Sequence, residues 1–458
     1  MTRSRPTSAL AVAALAYALV LLDTSLVSVG VTDIRDDLGA SVTQLQWVVN
    51  GYTLVLASLL LSAEALTDRI GARRMLIGAT SLFAVGAIGA ALAPTVSTLV
   101  AAQVLLGTAA AGLVPASLAL LTHHYPDPIR RARALGVWAA ISALSFAAGP
   151  VIGGLLVDTA GWRLMFALDL PFALAVLVLL ARVGETPRTR TRGLDLPGQA
   201  TAIVALAGLT FAIVESRSLG WGSRAVLGAL ALAVAAGSAF LRVERRGRAP
   251  MLPLSILRSR RFASATTAGL LINFAVFGQF FLFSLYFQDA RGLSALETGL
   301  AFLPQLLLLA VASVPAGRMV ARVGPRVPVA LGGTLAALGT AVLLTAQPDT
   351  PYLQIVAGLL LLGAGAGGVI TAVTAAAVAS VPSPQVGIAS ATLNASRQMG
   401  GVLGVAVLGG MAGTSGSAMG GTHTALLIAT IALAAVALLG AAGMAPRRRH
   451  ADLGPQPA

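Results

Sequence analysis

About fourteen long apolar segments run through this chain of 458 residues, and each approaches the length of a helix that crosses a membrane. About 20 predominantly apolar residues span the hydrocarbon core as a helix. The segments are continuous and do not alternate in a period of two, which favours helices over a barrel. They lie near residues 9–31, 44–66, 75–93, 97–121, 134–157, 163–182, 196–215, 224–241, 263–287, 297–317, 327–346, 352–380, 388–412 and 423–444. We therefore expect an all-α membrane protein with about 14 transmembrane helices.

Composition argues against the soluble alternatives. Hydrophobic residues make up 57% of the chain and charged residues 10%, whereas a soluble domain carries about 25% charged residues. The chain contains no cysteine, which rules out disulfides, thiol nucleophiles and cysteine–metal sites. No phosphate-binding GK[ST] loop is present, and GAGAGG at 363–368 lies inside an apolar segment, where close helix packing accounts for it. We expect no cofactor, no metal and no enzymatic activity.

The placement of arginines predicts the orientation of the spans. Basic residues accumulate in cytoplasmic loops, and with a cytoplasmic amino terminus most arginines fall on that side. The opposite side receives Arg35, Arg163, Arg217, Arg224 and Arg291. The formal net charge of +14 then reflects topology and contact with anionic lipid rather than binding of nucleic acid. We expect a multi-pass protein of the plasma or inner membrane with both termini cytoplasmic, its first apolar segment retained rather than cleaved as a signal peptide.

A polar island, LTDRIGARR at 66–74, separates the second and third apolar segments, and a fainter copy, GRMVARVGPR at 317–326, recurs in the later half. Each island follows the second helix of a six-helix unit if the seventh and eighth segments are an insertion. Such duplication is typical of transporters that rock two related bundles around a central site. We expect an amino-terminal bundle at 1–185 and a carboxy-terminal bundle at 262–445. A linker with two extra spans at 186–261 joins them, and a cytoplasmic tail follows at 446–458.

The charges of the first island predict a conformational latch. Asp68 and Arg69 lie at the end of one helix, Gly71 permits the turn, and Arg73 and Arg74 lie where the next helix begins. A carboxylate near a helix amino terminus, flanked by arginines, can hold helix ends together in one conformation. Plain positive-inside signalling is the alternative. In the second copy an alanine takes the acidic position, so any latch there is weaker.

The fifth apolar segment carries SFAAGPVIGGLL at 145–156, where small and kinking residues are concentrated. Glycines leave one face of a helix bare, and proline breaks its backbone hydrogen bonding. We therefore expect a helix that packs closely and bends at Ser145, Gly149, Pro150, Gly153 and Gly154.

These motifs resemble those of a known family. LTDRIGARR resembles the loop signature of the major facilitator superfamily, and SFAAGPVIGG is similar to the fifth-helix motif of its drug antiporters. LDTSLVSVGVTDI at 22–34 resembles the first-helix motif of the fourteen-span drug:proton antiporter branch. QWVVNGYTLVLASLLL, GWRLMFALDLPFAL, FLFSLYFQ and ATLNASRQMGGVLGVAVLG are similar to further segments of that branch, in the family's order. Around LASLLL, SLGW and INFAVFGQFFLFSLYFQDARG, the chain most resembles the methylenomycin A resistance type of antibiotic exporter.

The resemblance implies a major-facilitator fold of two six-helix bundles and proton-driven export of a small apolar or cationic compound. It aligns Asp23 with the family's membrane-embedded acid. The residues agree independently, because an acid deep in an apolar helix costs about 2.5–3.5 kcal/mol on insertion scales and such acids are usually functional. A structural hydrogen bond is the alternative role for Asp23.

Three positions depart from the family's pattern. Gln103 stands where the fourth helix of the family has an arginine that is credited with helping proton transfer. Glu64 stands where the island loop begins with a glycine, and Asp169 stands where an asparagine is usual. The two extra acids either replace the lost coupling chemistry or pair with nearby arginines. The candidates for proton coupling or substrate binding are therefore Asp23, Glu64 and Asp169.

Other polar residues inside the apolar segments should face the bundle interior, because lipid offers them no partners. Some would line a cavity, while others would form hydrogen bonds between helices. The cavity-lining candidates are Gln46, Asn50, Gln103, Asn273, Gln279, Tyr286, Gln305, Asn394 and Arg397.

The sequence thus predicts a secondary active exporter that works by alternating access. Its expected partners are a small-molecule substrate, protons and membrane lipid, with no nucleic acid, and it is expected to act as a monomer. One alternative is a metabolite importer or uniporter without proton coupling, which Gln103 makes conceivable. Another is a membrane sensor or scaffold that transports nothing.

Overall fold

The computed structural model describes residues 6–188, 195–247, 251–252, 254–382, 385–412 and 420–444, and its regular structure is helical throughout these ranges. The predicted tail at 446–458 lies outside them. In chain order the α-helices are α1 Pro6–Leu26, α2 Val31–Leu38, α3 Val42–Ile70, α4 Ala72–Ala91, α5 Val96–His124, α6 Pro128–Ala160, α7 Arg163–Ala167, α8 Asp169–Leu180, α9 Leu196–Leu219, α10 Arg224–Arg246, α11 Arg260–Leu285, α12 Ala295–Val323, α13 Arg326–Leu343, α14 Tyr352–Ala379, α15 Val386–Gly410 and α16 Gly420–Leu438.

The predicted all-α membrane class is confirmed. Within the described ranges, 13 helical segments are long and apolar enough to cross a membrane. The remaining predicted span is α15, a helix of 25 residues that carries Asn394, Arg397 and Gln398 in its middle. Each apolar segment of the sequence therefore corresponds to one long helical element, and the span number of about fourteen holds.

Two predicted segments differ in detail from the observed helices. The first span ends at Leu26, and residues 31–38 form the separate helix α2, whose charged sequence VTDIRDDL is unsuited to the bilayer interior. The sixth span is interrupted at Leu168, between α7 and α8. Pro171 explains the interruption, because proline has no N–H to donate to the carbonyl of Ala167.

The same helix pairings recur in the two halves of the chain. In the first half, the first span packs on the fifth (α1 on α6), and the second and third pack on the fourth (α3 and α4 on α5). In the second half, α11 packs on α15, and α12 and α13 pack on α14. Two hydrophobic cores follow this division, one drawn mostly from α1–α8 and the other mostly from α11–α16. This repetition confirms the duplicated architecture, whereas the domain boundaries at 185, 261 and 445 stay predictions.

The two islands lie at one end of the bundle, which we call the island face. Gly71 connects α3 to α4 with φ +93°, and Gly324 connects α12 to α13 with φ +79°. Both φ values lie in the left-handed region, which glycine adopts without steric cost. The opposite end carries α2, α7 and the α11–α12 connection, and we call it the α2 face.

The inserted hairpin of α9 and α10 spans the seam between the halves. Gln199 of α9 donates to the carbonyl of Ser58 in α3 at 2.7 Å, and Trp47 in α3 donates to the carboxylate of Glu215 at 2.8 Å. At the same end of α9 as Glu215, Arg217 donates to the carbonyl of Gly410 in α15 at 2.7 Å. Helix α9 therefore contacts both halves of the molecule.

Candidate functional site

The two halves meet tightly at the α2 face through glycines. A Cβ atom on Gly154 of α6 would lie 2.4 Å from the carbonyl oxygen of Ala295, and one on Gly299 of α12 would lie 2.2 Å from the carbonyl oxygen of Pro150. Real Cβ atoms do not approach backbone so closely, so the missing side chains allow α6 and α12 to touch. Within the first half, Gly149 lies in the same way against Ser25 of α1.

Polar contacts reinforce this closed end. Asp158, at the end of α6, accepts hydrogen bonds from the Ser294 hydroxyl at 2.6 Å and from the backbone N–H of Leu296 at 3.1 Å, so it caps α12 across the interface. Arg35 of α2 forms an ion pair with Asp289 at 2.8 Å. Hydrogen bonding to Asp289 holds the pKa of the Arg35 guanidinium above its usual range.

The cleft between the halves opens toward the island face. From Pro128 to Ile141, the first half of α6, only Ala134 is buried, whereas residues from Ser142 to Val157 include several that are buried. Helix α6 therefore leaves the packed interior over its island-face half. Exposed side chains on a membrane helix face either lipid or a cleft. Because the α2 face is closed, we interpret this stretch of α6 as one wall of a cleft that opens toward the island face.

Asp23 and Asp169 come together inside the first half. Asp23 is 2% exposed near the end of α1, Asp169 is fully buried at the start of α8, and their carboxyl groups lie within hydrogen-bond reach of each other. Both oxygens of Asp169 are buried, and no described N–H or hydroxyl group donates a hydrogen bond to them. An ionised carboxylate only accepts hydrogen bonds, so this contact forms only when one of the two carries a proton. The structure thus brings two of the three predicted acids, Asp23 and Asp169, together in one buried pair.

Tyr52 of α3 completes the surroundings of the acid pair. It lies within electrostatic range of Asp23 and Asp169, and its hydroxyl donates to the carbonyl of Val20 in α1 at 3.2 Å. Three helices therefore converge on the two carboxyl groups.

Glu64, the third predicted acid, lies elsewhere. Its carboxylate is 3.1 Å from where a Cβ on Gly387 would stand, at the island-face ends of α3 and α15. The structure thus places Glu64 between the two halves and away from Asp23 and Asp169.

Arg397 lies between the halves in the middle of α15. Its aliphatic stem packs on Gly269 of α11, where a Cβ would be 3.1 Å from its Cγ. Tyr17 of α1, in the other half, lies within electrostatic range of the guanidinium. The ring of Tyr17 stacks on that of Trp138 in α6, with centroids 4.5 Å apart and planes 10° apart.

The remaining cavity candidates divide into two groups. Gln46, Gln279 and Tyr286 form hydrogen bonds between structural elements, to the carbonyl of Val405, the hydroxyl of Thr340 and the carbonyl of Gln347 respectively. The side chains of the others form no hydrogen bond with a described residue: Asn50, Gln103, Asn273 and Gln305 are buried, and Asn394 is partly buried. Gln103 is next to Gly51 of α3, with its Cβ 3.6 Å from the site of the missing one.

The island-face loop contacts a segment that the motif did not include. Arg73 and Arg74 each lie 3.6 Å from the carboxylate of Glu185, just after α8, and the backbone N–H of Ala72 donates to the Thr186 hydroxyl at 2.7 Å. Asp68 and Arg69 lie at the end of α3 as expected, each with an interaction of its own. Glu185 therefore faces two of the latch arginines, Arg73 and Arg74.

Sequence reasoning missed five residues that shape the site: Tyr17, Trp138, Asp158, Glu185 and Asp289. Tyr17 and Trp138 read as ordinary apolar or interfacial residues, and the three acids lie in loops or at helix ends. The signal that could have found Asp158 is its position between the bare glycine face and the next loop. Among the described residues, no group of three or more histidine, aspartate or glutamate side chains could hold a metal ion.

Comparison of the sequence with models of known protein families agrees with this duplicated helical fold. The family model described as "Major Facilitator Superfamily" matches residues 13–405 and 299–458. The chain belongs to the major facilitator superfamily. It is therefore a multi-pass membrane transporter of small molecules, and the cleft between its two halves is the place where such a protein takes its cargo.

Two named relatives within the superfamily match this chain along most of their length. The chain is 36% identical to the methylenomycin A resistance protein of Streptomyces coelicolor over 86% of this chain and 83% of the relative. It is 33% identical to the methylenomycin A resistance protein of Bacillus subtilis over 96% and 94%. Among solved structures, a bacterial homolog of the human lysosomal transporter Spinster shares the fold, with a TM-score of 0.71 at 15% identity, covering 97% of this chain and 98% of that chain.

Proposed function

We propose that this protein is a secondary active exporter that moves small, mostly apolar or cationic toxic compounds out of the cell in exchange for protons. In this proposal the protein acts as a monomer in the plasma membrane, with its island face and both termini in the cytoplasm. The arginines of the island-face loops support that orientation, because basic residues favour the cytoplasmic side.

The direction of transport is supported by the relatives. Both methylenomycin A resistance proteins are named for protection against an antibiotic. A transporter protects a cell from a toxic compound by moving it outward. Outward transport against a gradient requires an energy source, and in this proposal the proton gradient supplies it.

The acid pair Asp23–Asp169 is the observation that carries the proton-coupling proposal. It lies beneath the closed α2 face, near the end of α1. When the α2 face opens, water reaches the pair and both carboxyl groups can take up protons from outside. When the island face opens again, one proton is released inward, because a single shared proton satisfies the hydrogen bond between the two carboxyl groups.

The acid pair also bears on Gln103, which stands where the family has an arginine that helps proton transfer. In this proposal, Asp169 supplies the second group that the proton relay needs, in place of the arginine of the family pattern. Tyr52 then keeps α1 and α3 in place around the pair, since it is near both acids and its hydroxyl donates a hydrogen bond to α1.

The test uses everted membrane vesicles that hold a pH gradient, monitored by quinacrine fluorescence, with ethidium added as the cargo. Exchange of protons for ethidium dissipates part of the gradient. We expect dissipation by the parent protein and by Asp349→Asn, a matched control at an exposed loop acid, and none by Asp23→Asn or Asp169→Asn. Unchanged dissipation in both pair variants would move the coupling role to Glu64 or remove it.

Growth on toxic compounds distinguishes export from import. Cells that express the protein should survive higher ethidium concentrations than cells that do not. Greater sensitivity on expression would indicate an importer or uniporter, and no change in either growth or vesicles would indicate a protein without transport activity.

A further inference from the structure

We propose that Arg397, together with the Tyr17–Trp138 stack, forms a binding site for the anionic group of an aromatic acid, so that the cargo of this transporter includes aromatic carboxylates. This inference rests on the proposed transport function, and it adds a substrate class that the sequence did not suggest.

The position of Arg397 places it at the middle of the cleft. Arg397, Tyr17 and Trp138 lie ten or eleven residues from the island-face ends of α15, α1 and α6. At 1.5 Å per residue, each is about 15–17 Å from that end, which is half the thickness of a hydrocarbon core of about 30 Å. The three side chains come from both halves and lie at the same depth.

The charge of Arg397 has no counter-charge in its surroundings. No ion pair or hydrogen bond to its guanidinium occurs within the described part of the chain, and its Nε atom is buried without a partner. A guanidinium stays protonated in proteins, and a charge at this depth is costly unless it is paired. The cost is recovered when a ligand supplies the negative charge.

The three acids predicted within the described spans lie away from Arg397. Asp23 is six residues from Tyr17, about 9 Å farther along α1, and it is paired with Asp169. Glu64 lies at Gly387, ten residues or about 15 Å along α15 from Arg397. Tyr17 is the titratable group that acts on Arg397 among the described residues. The middle of the cleft therefore carries a net positive charge.

Aromatic side chains from both halves lie at the depth of Arg397 or one turn from it, and they favour a flat, apolar body on the ligand. The Tyr17–Trp138 stack forms one wall, and the indole Nε1 of Trp138 is a buried donor without a partner. One turn farther toward the α2 face, Gly401 of α15 lies against the ring of Phe277, which is 6.1 Å from Phe146 of α6. A carboxylate on Arg397 would accept two parallel hydrogen bonds from the guanidinium, while an attached ring would pack among these aromatic side chains.

Three probes with the same dansyl ring and different charges test this site: anionic dansylglycine, uncharged dansylglycinamide and cationic dansylcadaverine. Binding to the purified full-length protein is followed by dansyl emission without any gradient. We expect the parent protein to bind dansylglycine at least tenfold more tightly than dansylcadaverine. Arg397→Gln should lose at least tenfold in affinity for dansylglycine and change less than twofold for dansylglycinamide, whereas Arg397→Lys should keep part of the preference.

The control is Arg217→Gln, which removes an arginine that binds the carbonyl of Gly410 outside the cleft and should leave all three affinities unchanged. Equal affinities for the three probes in the parent protein would overturn the proposal. So would an Arg397→Gln protein that loses affinity equally for all three, because that result indicates that Arg397 only joins the halves. Export of ethidium in vesicles is measured separately, so a failure of transport and a failure of this site give different results.

Discussion

Arg35 and Asp289, which are 254 residues apart in the sequence, face each other through two parallel hydrogen bonds of 2.8 Å across the closed α2 face. One residue comes from the first half of the molecule and the other from the second. The pair must separate whenever the cleft opens to this side. Its geometry is that of a bidentate arginine–carboxylate contact, which is stronger and more directional than a simple ion pair.

Loss of this contact should make the α2 face open more often. Both side chains are partly exposed, at 28% and 40%, so solvent screening limits the effect to about 1 kcal/mol, or about fivefold in the conformational equilibrium. The chain has no cysteine, so Ser28→Cys, a buried position at this interface, can report opening through a membrane-impermeant maleimide. Labelling should rise about fivefold with Arg35→Gln. Arg224→Gln, which removes an exposed arginine outside this contact, should leave the rate unchanged, and equal rates in both variants would contradict the prediction.

Close contact of α6 and α12 should depend on the absence of a side chain at Gly154. An alanine there would place its Cβ 2.4 Å from the carbonyl oxygen of Ala295, and a backbone atom cannot rotate away. We expect Gly154→Ala to reduce ethidium transport at least tenfold and to raise labelling at Ser28→Cys. Gly136→Ala on the same helix meets no atom within 4 Å and serves as the control. Similar transport in the two variants would show that the contact is not required.

The two carboxyl groups of the acid pair should act as one unit. If Asp23 and Asp169 share a proton, removing either one removes the exchange, so the double variant Asp23→Asn/Asp169→Asn should transport no worse than each single variant. The measurement is the initial rate of dissipation of the pH gradient by ethidium. Effects that multiply in the double variant would mean that the acids act independently.

The latch at the island face should affect turnover more than stability. Arg73 and Arg74 approach Glu185 only to 3.6 Å, and the three side chains are 28–54% exposed, so Glu185→Gln should cost less than about 1 kcal/mol of unfolding free energy. We expect transport to slow severalfold, because the Gly71 loop packs directly against Glu185 and Thr186. Glu185→Asp retains the charge and should recover part of the rate. A large drop in the thermal unfolding temperature with no effect on transport would reject this role.

Acid should weaken the Asp37–Arg163 contact only at low pH. Hydrogen bonds from Arg163 and then from Trp162 hold the pKa of the Asp37 carboxyl below its ordinary value of 3.8. A carboxyl group with a lowered pKa contributes stability that is fully present above the ordinary value and is lost as the pH falls through the lowered one. The difference in unfolding temperature between the parent and Asp37→Asn should therefore stay constant from pH 8 to about pH 5 and shrink in stronger acid. A difference that shrinks already near pH 6 would contradict the assignment.

Local sequence signals predicted most of the fold. Apolar length located each span within a few residues, and the glycine of each island marked a turn with a positive φ. The bare face around Gly149 to Gly154 was found because small residues at helical spacing leave a visible pattern. The break at Leu168 was missed, although Pro171 carried the signal for it.

Long-range pairings in the site were beyond the reach of the sequence. Asp23 and Asp169 each looked unusual alone, but nothing in their own segments indicates that α1 and α8 bring them together. Glu185 lies in a polar connection where a carboxylate has no periodic context, so its role against Arg73 appears only when the chain folds. Arg397 was recognised as an interior residue, whereas the lack of a partner for its charge depends on the placement of every acid around it.

The glycine contacts at the α2 face also bear on how fast the transporter can cycle. Because Gly154 and Gly299 each touch a peptide carbonyl, α6 and α12 can part and rejoin without any side chain changing its rotamer. Separation of these two helix surfaces therefore needs little rearrangement of side chains. The barrier to opening is then set mainly by the few hydrogen bonds around that seam, such as the cap that Asp158 places on α12.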